Sequence, residues 1–375
     1  MERLHTQERN NWKKSLENKG FGYHSLDGIP YWNEGAYYKF SSDEIDEIEI
    51  ATNELWDMCL EAVQHIIDNK LYSKLGIPSD AIPLIEKSWE EDAPSIYGRF
   101  DLAMNNGQIK MLEFNADTPT SLFEAGVIQW FWLQDKFPKS DQFNSIHEAL
   151  IEYWKFLKNY LNPGKLHFSC LRDSLEDLTN VEYLRDCAIQ AGINTEFLLI
   201  DEIGWADDEN IFVDNNNERI NNIFKLYAWE WLMEDSFSKN LNIDKNCLWI
   251  EPAWKMILSN KAILPILWEL FPNNKYLLPS YFNSNGLSSY VKKPYLSREG
   301  ANVEIIKDSS VVAMSLGSYG KEGYIFQQYF ELPNFNGFYP IIGSWVIGQK
   351  SVGIGIRESK SIITDNMSMF VPHIF

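Results

Sequence analysis

The chemistry-bearing residues Arg99, Asp101, Glu113, Asn115 and Asp117 fall within one short stretch, YGRFDLAMNNGQIKMLEFNADTPTS, residues 97–121. Hard oxygen ligands on paired strands are a way to hold Mg²⁺ against nucleotide phosphates. The stretch reads as a β-hairpin running into a helix. Side chains alternate along a strand, so Arg99 and Asp101 share a face, as do Glu113 and Asn115. Whether the two faces coincide depends on the loop. A two-residue turn at Asn106-Gly107 sets Asp101 opposite Leu112 and throws the polar pairs onto opposite faces. A three-residue loop, Asn105-Asn106-Gly107, pairs Met104 with Gln108, Arg99 with Glu113 and Asp101 with Met111. It also gathers Phe100, Leu102, Leu112 and Phe114 into one apolar face. Polar and apolar faces agree in this second register, which is therefore expected. The competing reading is a solvated edge hairpin with ion pairs of little energetic value.

The elements that position these residues follow from patterning. Residues 1–95 read as a mainly helical region packing on the core, with SSDEIDEIEIATNELWDMCLEAVQHIIDNK capped by Ser41 or Ser42. Residues 96–164 hold the hairpin and a helix, LFEAGVIQWFWLQDKF. Ser121 and Glu124 have capping-box spacing at its start, and Trp130, Trp132 and Leu133 read as core. A helix beginning just after Asp117 offers free N–H groups to an anion. Residues 165–250 contain a βαβ unit, KLHFSCL, VEYLRDCAIQAG and TEFLLID. The acidic loop after its first strand carries Glu176 and Asp177, and NNIFKLYAWEWLMED reads as one buried amphipathic segment. In residues 251–375, SNKAILPILWELF reads as a helix, followed by strands with glycine loops and a hairpin at IIGSWVIGQKSVGIGIRE.

Composition narrows the function. A net charge of −20 over 375 residues repels nucleic-acid backbones; it reads first as a solubility device and second as an attraction for a cationic substrate such as a polyamine. No apolar run reaches membrane-spanning length, and MERLHTQERNNWKK lacks an apolar signal region. Cys59, Cys170, Cys187 and Cys247 form no CxxC pair and read as buried thiols of a reducing compartment. A cytoplasmic protein without nucleic-acid or membrane partners is expected. Against the acidic background, Lys261, Lys292, Lys293, Arg298 and Arg357 form a cationic set near glycine loops, SREGANV among them, suited to phosphate oxygens. Walker A and kinase HRD or DFG motifs are absent, and no histidine pairs recognisably with a cysteine or serine nucleophile.

YGRFD, LEFNADTPTSL, EPAWKMILSNKAILP, VKKPYLSREGANV and GSWVIG…GIGIRES…IITDN…FVPHIF together resemble the synthetase domain of glutathionylspermidine synthases. The resemblance covers nearly the whole chain. It implies an ATP-grasp fold, mixed α+β and α/β, with an α/β substrate-binding subdomain. The motif order is permuted, because Glu113-Phe114-Asn115 precedes the lysines. It further implies an ADP-forming carboxylate–amine ligase that uses ATP and two Mg²⁺ ions. By match, Asp101, Glu113 and Asn115 are implied metal ligands and Arg99 steadies the transferring phosphoryl group. Lys261, Lys293, Gly300, Gln327, Gln328, Glu331, Ile362, Ile363 and Thr364 are implied nucleotide contacts, with Lys292 an alternative to Lys293. Arg357 faces the acyl phosphate, while Thr118, Ser121, Glu176 and Asp177 are implied contacts of a glutathione-like acid and a polyamine-like amine. The chain resembles the shorter, synthetase-only relatives, so hydrolysis of the product amide is not expected. A catalytically inactive nucleotide- or polyamine-binding protein and a Mg²⁺-dependent ATPase or kinase are the rival readings.

Overall fold

The hairpin is closed by two residues with positive φ, Asn106 at 50° and Gly107 at 74°, the backbone of a type I′ turn. This is the short turn, not the expected three-residue loop: Asn105 pairs with Gln108 and Leu102 with Met111. A β-bulge then leaves Leu112 out of the ladder, so Asp101 comes opposite Glu113, Phe100 opposite Phe114 and Arg99 opposite Asn115. One extra residue reverses the side-chain parity, which is why polar and apolar faces agree despite the even turn. The rings of Phe100 and Phe114 stack with centroids 3.9 Å apart.

In this computed structural model, which describes residues 1–26, 28–284, 286–365 and 368–375, the hairpin forms one edge of a five-stranded antiparallel sheet. From the other edge the order is Met369–Val371, Lys350–Ser359, Tyr339–Ile347, Tyr97–Asn105 and Gln108–Asn115. One face packs on the long helix Ser42–Asp68, whose Ile48, Leu55, Trp56, Cys59 and Val63 recur at helical spacing and are buried with Phe100 and Leu102. That helix begins with a complete capping box between Ser41 and Glu44. The opposite face, with Tyr97 and Trp345, is covered by residues 122–157. Within that cover Trp132 and Leu133 are buried, whereas Trp130 is 44% exposed.

Several expectations change on folding. The first forty residues supply strands: Glu2–His5 and Ala36–Lys39 pair with each other and, through the latter, with His373–Ile374. The Ser121–Glu124 capping box does not form. Asn180 Oδ1 instead accepts the N–H groups of Leu122 and Phe123, so these are not left for an anion. NNIFKLYAWEWLMED divides into the strand Asn222–Leu226 and the helix Trp229–Glu234. SNKAILPILWELF forms the expected helix over Ile263–Leu270 only; its Ser259 ends a preceding helix, Lys255–Ser259, and Asn260 between them is extended. Among the described residues, no helix is long and apolar enough to cross a membrane.

Two further sheets complete the frame. A parallel sheet runs Leu248–Ile250, Asn222–Leu226, Leu166–Cys170, Thr195–Leu199. The expected βαβ crossover helix, Leu175–Gln190, starts earlier than expected and is capped by Ser174, so Glu176 and Asp177 lie in its first turn and not in a loop. An antiparallel sheet runs Ser280–Tyr281, Tyr324–Gln328, Tyr290–Pro294, Glu304–Lys307, Ser310–Met314. Buried ion pairs tie the hairpin to this frame. Lys255, wholly buried, donates to the carbonyls of Tyr97 (2.8 Å) and Ala116 (2.9 Å) and lies 3.3 Å from Glu251. Glu251 in turn accepts the N–H groups of Ile96 and Tyr97. Asp117 is committed to Lys225 (3.0 Å) and to the N–H of Trp229 (2.8 Å), so it anchors the hairpin's exit.

Breaking a buried pair leaves an uncompensated charge, a loss of about 3–5 kcal/mol. Lys255→Met is expected to lower the unfolding free energy in urea by that amount. Lys255→Met with Glu251→Gln should cost less than the sum of the single changes; strict additivity would contradict the coupling.

Candidate active site

The bulge assembles the polar face. Arg99, 7% exposed, donates from Nε to Asp101 Oδ1 (2.7 Å) and from Nη2 to Oδ2 (3.2 Å), and from Nη1 to the Thr120 carbonyl (2.7 Å). Burial works against the guanidinium charge, but the Asp101 carboxylate, helped by Glu113, more than offsets it and raises the Arg99 pKa. Freed from the ladder, the Leu112 carbonyl accepts from Lys293 Nζ at 2.8 Å. The adjacent Met111 carbonyl accepts from Gln327 Nε2 at 3.2 Å, and Gln327 Oε1 accepts from Lys293 at 2.9 Å. The sheet carrying Lys293 thus docks on the bulge itself.

Glu113 lies between two lysines. Lys261 Nζ is 3.4 Å from Glu113 Oε2 and donates to the Ser297 carbonyl at 2.8 Å. Burial pushes the Glu113 carboxyl up, yet Lys261, Lys293 and Arg99 outweigh it and hold it below the usual glutamate value. Burial brings the Lys293 ammonium down to about 8, with Lys261 lowering it further and Glu113 resisting. Lys292, one residue away on the strand, points elsewhere and pairs with Glu304 at 3.0 Å. Strand alternation separates the two lysines: Lys293 lines the cavity and Lys292 does not.

Two cavities meet on the hairpin. The first is lined by Asp101, Glu113, Lys261, Lys293, Gly300, Gln327, Gln328, Ile362, Ile363 and Thr364, with Leu278, Val291, Ile305 and Ile341 as apolar wall. The second shares Asp101, Glu113, Gly300 and Thr364, and adds Arg99, Asn115, Thr118, Asp177, Arg298 and Arg357. Gly300 has φ +68°, and a Cβ there would lie 2.4 Å from the Thr364 carbonyl oxygen, so a side chain would force the SREGANV loop away from residues 362–364. Asn366, the last residue of the IITDN motif, lies outside the described residues.

Three named residues stand outside both walls. Ser121 sits behind Arg99, accepting from its Nη1 at 3.3 Å and donating to the Thr120 carbonyl at 2.6 Å. Glu331 faces away, with its carbonyl on Asn105 and its carboxylate 3.4 Å from Lys307. Glu176 lies off the lining, next to Asp177. Asp177 itself is held by burial, with Glu176 adding to the effect, at a carboxyl pKa of about 6.

Arg298, expected in the cationic set, joins the second cavity, and so do residues that pattern reading did not assign to it. Arg298 donates to Thr118 Oγ1 (2.6 Å) and Glu230 (3.0 Å), and its guanidinium carbon lies 4.7 Å from the Trp231 ring centre. Leu226, Tyr227 and Ala228 line the second cavity at the carboxyl end of a parallel strand, the usual place for ligands in such sheets. Reading NNIFKL as a strand would have exposed that signal. Asn115 Nδ2, Arg298 Nε and Arg357 Nε are buried there without a hydrogen-bond partner. Hard oxygen donors at Asp101, Glu113 and Asn115, two cavity-facing lysines and an apolar wall fit Mg²⁺ and a nucleotide.

Residues 3–375 match the family described as glutathionylspermidine synthase preATP-grasp. A Haemophilus influenzae protein provisionally named an acid–amine ligase is 44% identical, over 96% of each chain. Trypanothione synthetase of Crithidia fasciculata is 31% identical, over 84% of this chain and 53% of its own. The bifunctional glutathionylspermidine synthetase/amidase of Escherichia coli is 28% identical, over 91% of this chain and 60% of its own. This chain therefore spans little more than half the length of those last two. A solved glutathione synthetase-like effector of Globodera pallida, 10% identical, superposes with a TM-score of 0.57 over 98% of both chains, which shows a shared fold. The chain belongs to the glutathionylspermidine synthase preATP-grasp family.

Proposed function

We propose that this chain is an ATP- and Mg²⁺-dependent carboxylate–amine ligase of the ATP-grasp type, forming an amide through an acyl phosphate. The observation that carries the reading is the convergence of Asp101 and Glu113, on one face of the bulged hairpin, with Lys261 and Lys293 across the same cavity. Lys261 and Lys293 meet the phosphates, and the apolar wall takes the adenine. Asp101, Glu113 and Asn115 would hold Mg²⁺, which when bound neutralises phosphate charge. Arg99, locked by Asp101 and the Thr120 carbonyl, faces the γ-phosphoryl group without having to reorganise. Arg357 and Arg298 face the acid. Their unpartnered Nε groups give a carboxylate, and then the acyl phosphate, donors that are already buried. Asp177 attracts the ammonium end of the amine on the far side of the second cavity.

A peptide carboxylate of the glutathione kind and a polyamine are the substrate classes suggested by the names of the relatives. The acidic side chains Asp177 and Glu230, set beside Arg298, suit an acid and a cation brought together. The precedence of Glu113 and Asn115 over Lys261 and Lys293 in the chain is the permuted form of the ATP-grasp order.

ADP release that requires both an acid and an amine, with an amide identified by product mass, tests the reading. Amine-independent ATP hydrolysis, or phosphorylation of a hydroxyl, would replace it. Glu113→Gln is expected to lower kcat about 10²–10³-fold while the circular dichroism spectrum of the fold is retained.

Lys293 supplies a pH test. Above pH 8 its ammonium is largely discharged in the free protein, and phosphate charge should restore it. Calorimetry near pH 8 in buffers of different ionisation enthalpy should show proton uptake on ATP binding, absent in Lys293→Met. Buffer-independent heats would contradict this. Asp177 supplies another: its carboxylate is charged above pH 6 and lost below. The KM for the amine should rise as pH falls through about 6. Asp177→Asn should abolish that dependence, and an unchanged profile in the variant would exclude the role.

A further inference from the structure

Away from both cavities, at the amino-terminal part of the parallel sheet, His167 and Glu196 stand directly opposite each other on adjacent strands. Asp214, immediately after the short strand Ile211–Val213, joins them, and one ligand atom from each lies within 4.8 Å of the others. His167 and Asp214 are 2% and 5% exposed. Neither ring nitrogen of His167 has a hydrogen-bond partner, and neither does Asp214 Oδ2. The other oxygen of Asp214 accepts the N–H groups of Asn216 (2.8 Å) and Glu218 (2.9 Å), which fixes the carboxylate with Oδ2 turned to the imidazole.

Buried imidazole nitrogens and a buried carboxylate oxygen rarely go unsatisfied. The Nε2 to Oδ2 separation is 3.5 Å, long for a hydrogen bond. It is close to the about 3.4 Å between neighbouring ligands of a tetrahedral ion with bonds of about 2.1 Å. A histidine–aspartate ion pair alone would explain neither the second ring nitrogen nor the register that brings Glu196 opposite. Glu196 is the adaptable member: its side chain is 32% exposed, and Lys165 occupies one of its oxygens at 2.7 Å. Lys165 also reaches Glu218 at 2.9 Å, so it has a partner to keep if Glu196 turns inward.

We propose that His167, Glu196 and Asp214 form a binding site for a divalent transition-metal cation, of the zinc or manganese class. An imidazole among the ligands selects such an ion over Mg²⁺, and two carboxylates offset its charge. The backbone N–H groups on Asp214 supply the outer support that metal-ligating carboxylates commonly have. The ion would cross-link the strand pair carrying His167 and Glu196 to the segment around Asp214, independently of the ligase reading.

The test uses the full chain, washed with chelator and titrated with ZnCl₂ and, separately, CoCl₂ without nucleotide. One equivalent of each should bind, raise the thermal midpoint, and give Co²⁺ a visible ligand-field spectrum. Glu196→Gln removes an accessible ligand without disturbing the buried pair and should weaken Zn²⁺ binding at least tenfold. His167→Gln should abolish it, and if that variant does not fold, Glu196→Gln decides. Glu113→Gln should bind the same equivalent with the same midpoint shift. No saturable binding, binding indifferent to Glu196→Gln, or binding lost in Glu113→Gln would overturn the proposal.

Discussion

One buried ammonium closes the open end of the hairpin on which the site is built. Lys255 bonds the carbonyls of Tyr97, where the first strand enters, and Ala116, where the second leaves. Glu251 balances its charge while holding the N–H groups of Ile96 and Tyr97. Burial lowers the Lys255 pKa and raises that of Glu251, so each ion depends on the other to remain charged. Between the tight Asn106-Gly107 turn and the Arg99–Asn115 pair, the second strand has one residue more than the first, eight against seven. That residue, Leu112, is the bulge. Clasp and turn pin the two ends of the hairpin, and the bulge sets the side-chain parity between them.

The catalytic proposal rests on what that constraint does to charge. The bulge residue Leu112 puts Asp101, Glu113, Arg99 and Asn115 on one face. The same irregularity frees a carbonyl that seats Lys293. Cations and anions then alternate across the cavity: Arg99 on Asp101, and Lys261 and Lys293 about Glu113. A strongly acidic chain thereby keeps a local field fit for polyphosphate, and each charge is positioned before a ligand arrives. The second cavity continues the alternation with Arg298, Asp177 and Arg357, the arrangement that the proposed acid and cation would need.

Much of this was legible in the sequence, and the failures have physical causes. Alternation along YGRFDLAMN and QIKMLEFN correctly put the polar residues together, but through the wrong loop. A bulge and a longer turn have the same effect on parity, and only the ladder distinguishes them. Asp117 was grouped with the cavity residues because its neighbours belong there; Lys225, from a strand more than a hundred residues away, claims it. The Ser121–Glu124 spacing looked like a cap, yet a distant amide, Asn180, reached those N–H groups first, and Glu124 accepts from Tyr31. These are tertiary contacts, invisible to local pattern. Lys293 over Lys292, by contrast, needed only the direction of one strand.

The claim at the centre of this account is that the face made by the bulge transfers a phosphoryl group to a carboxylate oxygen. It is tested most directly by labelling both oxygens of the acid substrate with ¹⁸O and analysing the inorganic phosphate released during amide formation. Attack by the amine on an acyl phosphate expels the oxygen that came from the acid, so one labelled atom should appear in each phosphate, with ADP as the nucleotide product. Unlabelled phosphate accompanying the amide, or AMP and pyrophosphate in place of ADP, would contradict it.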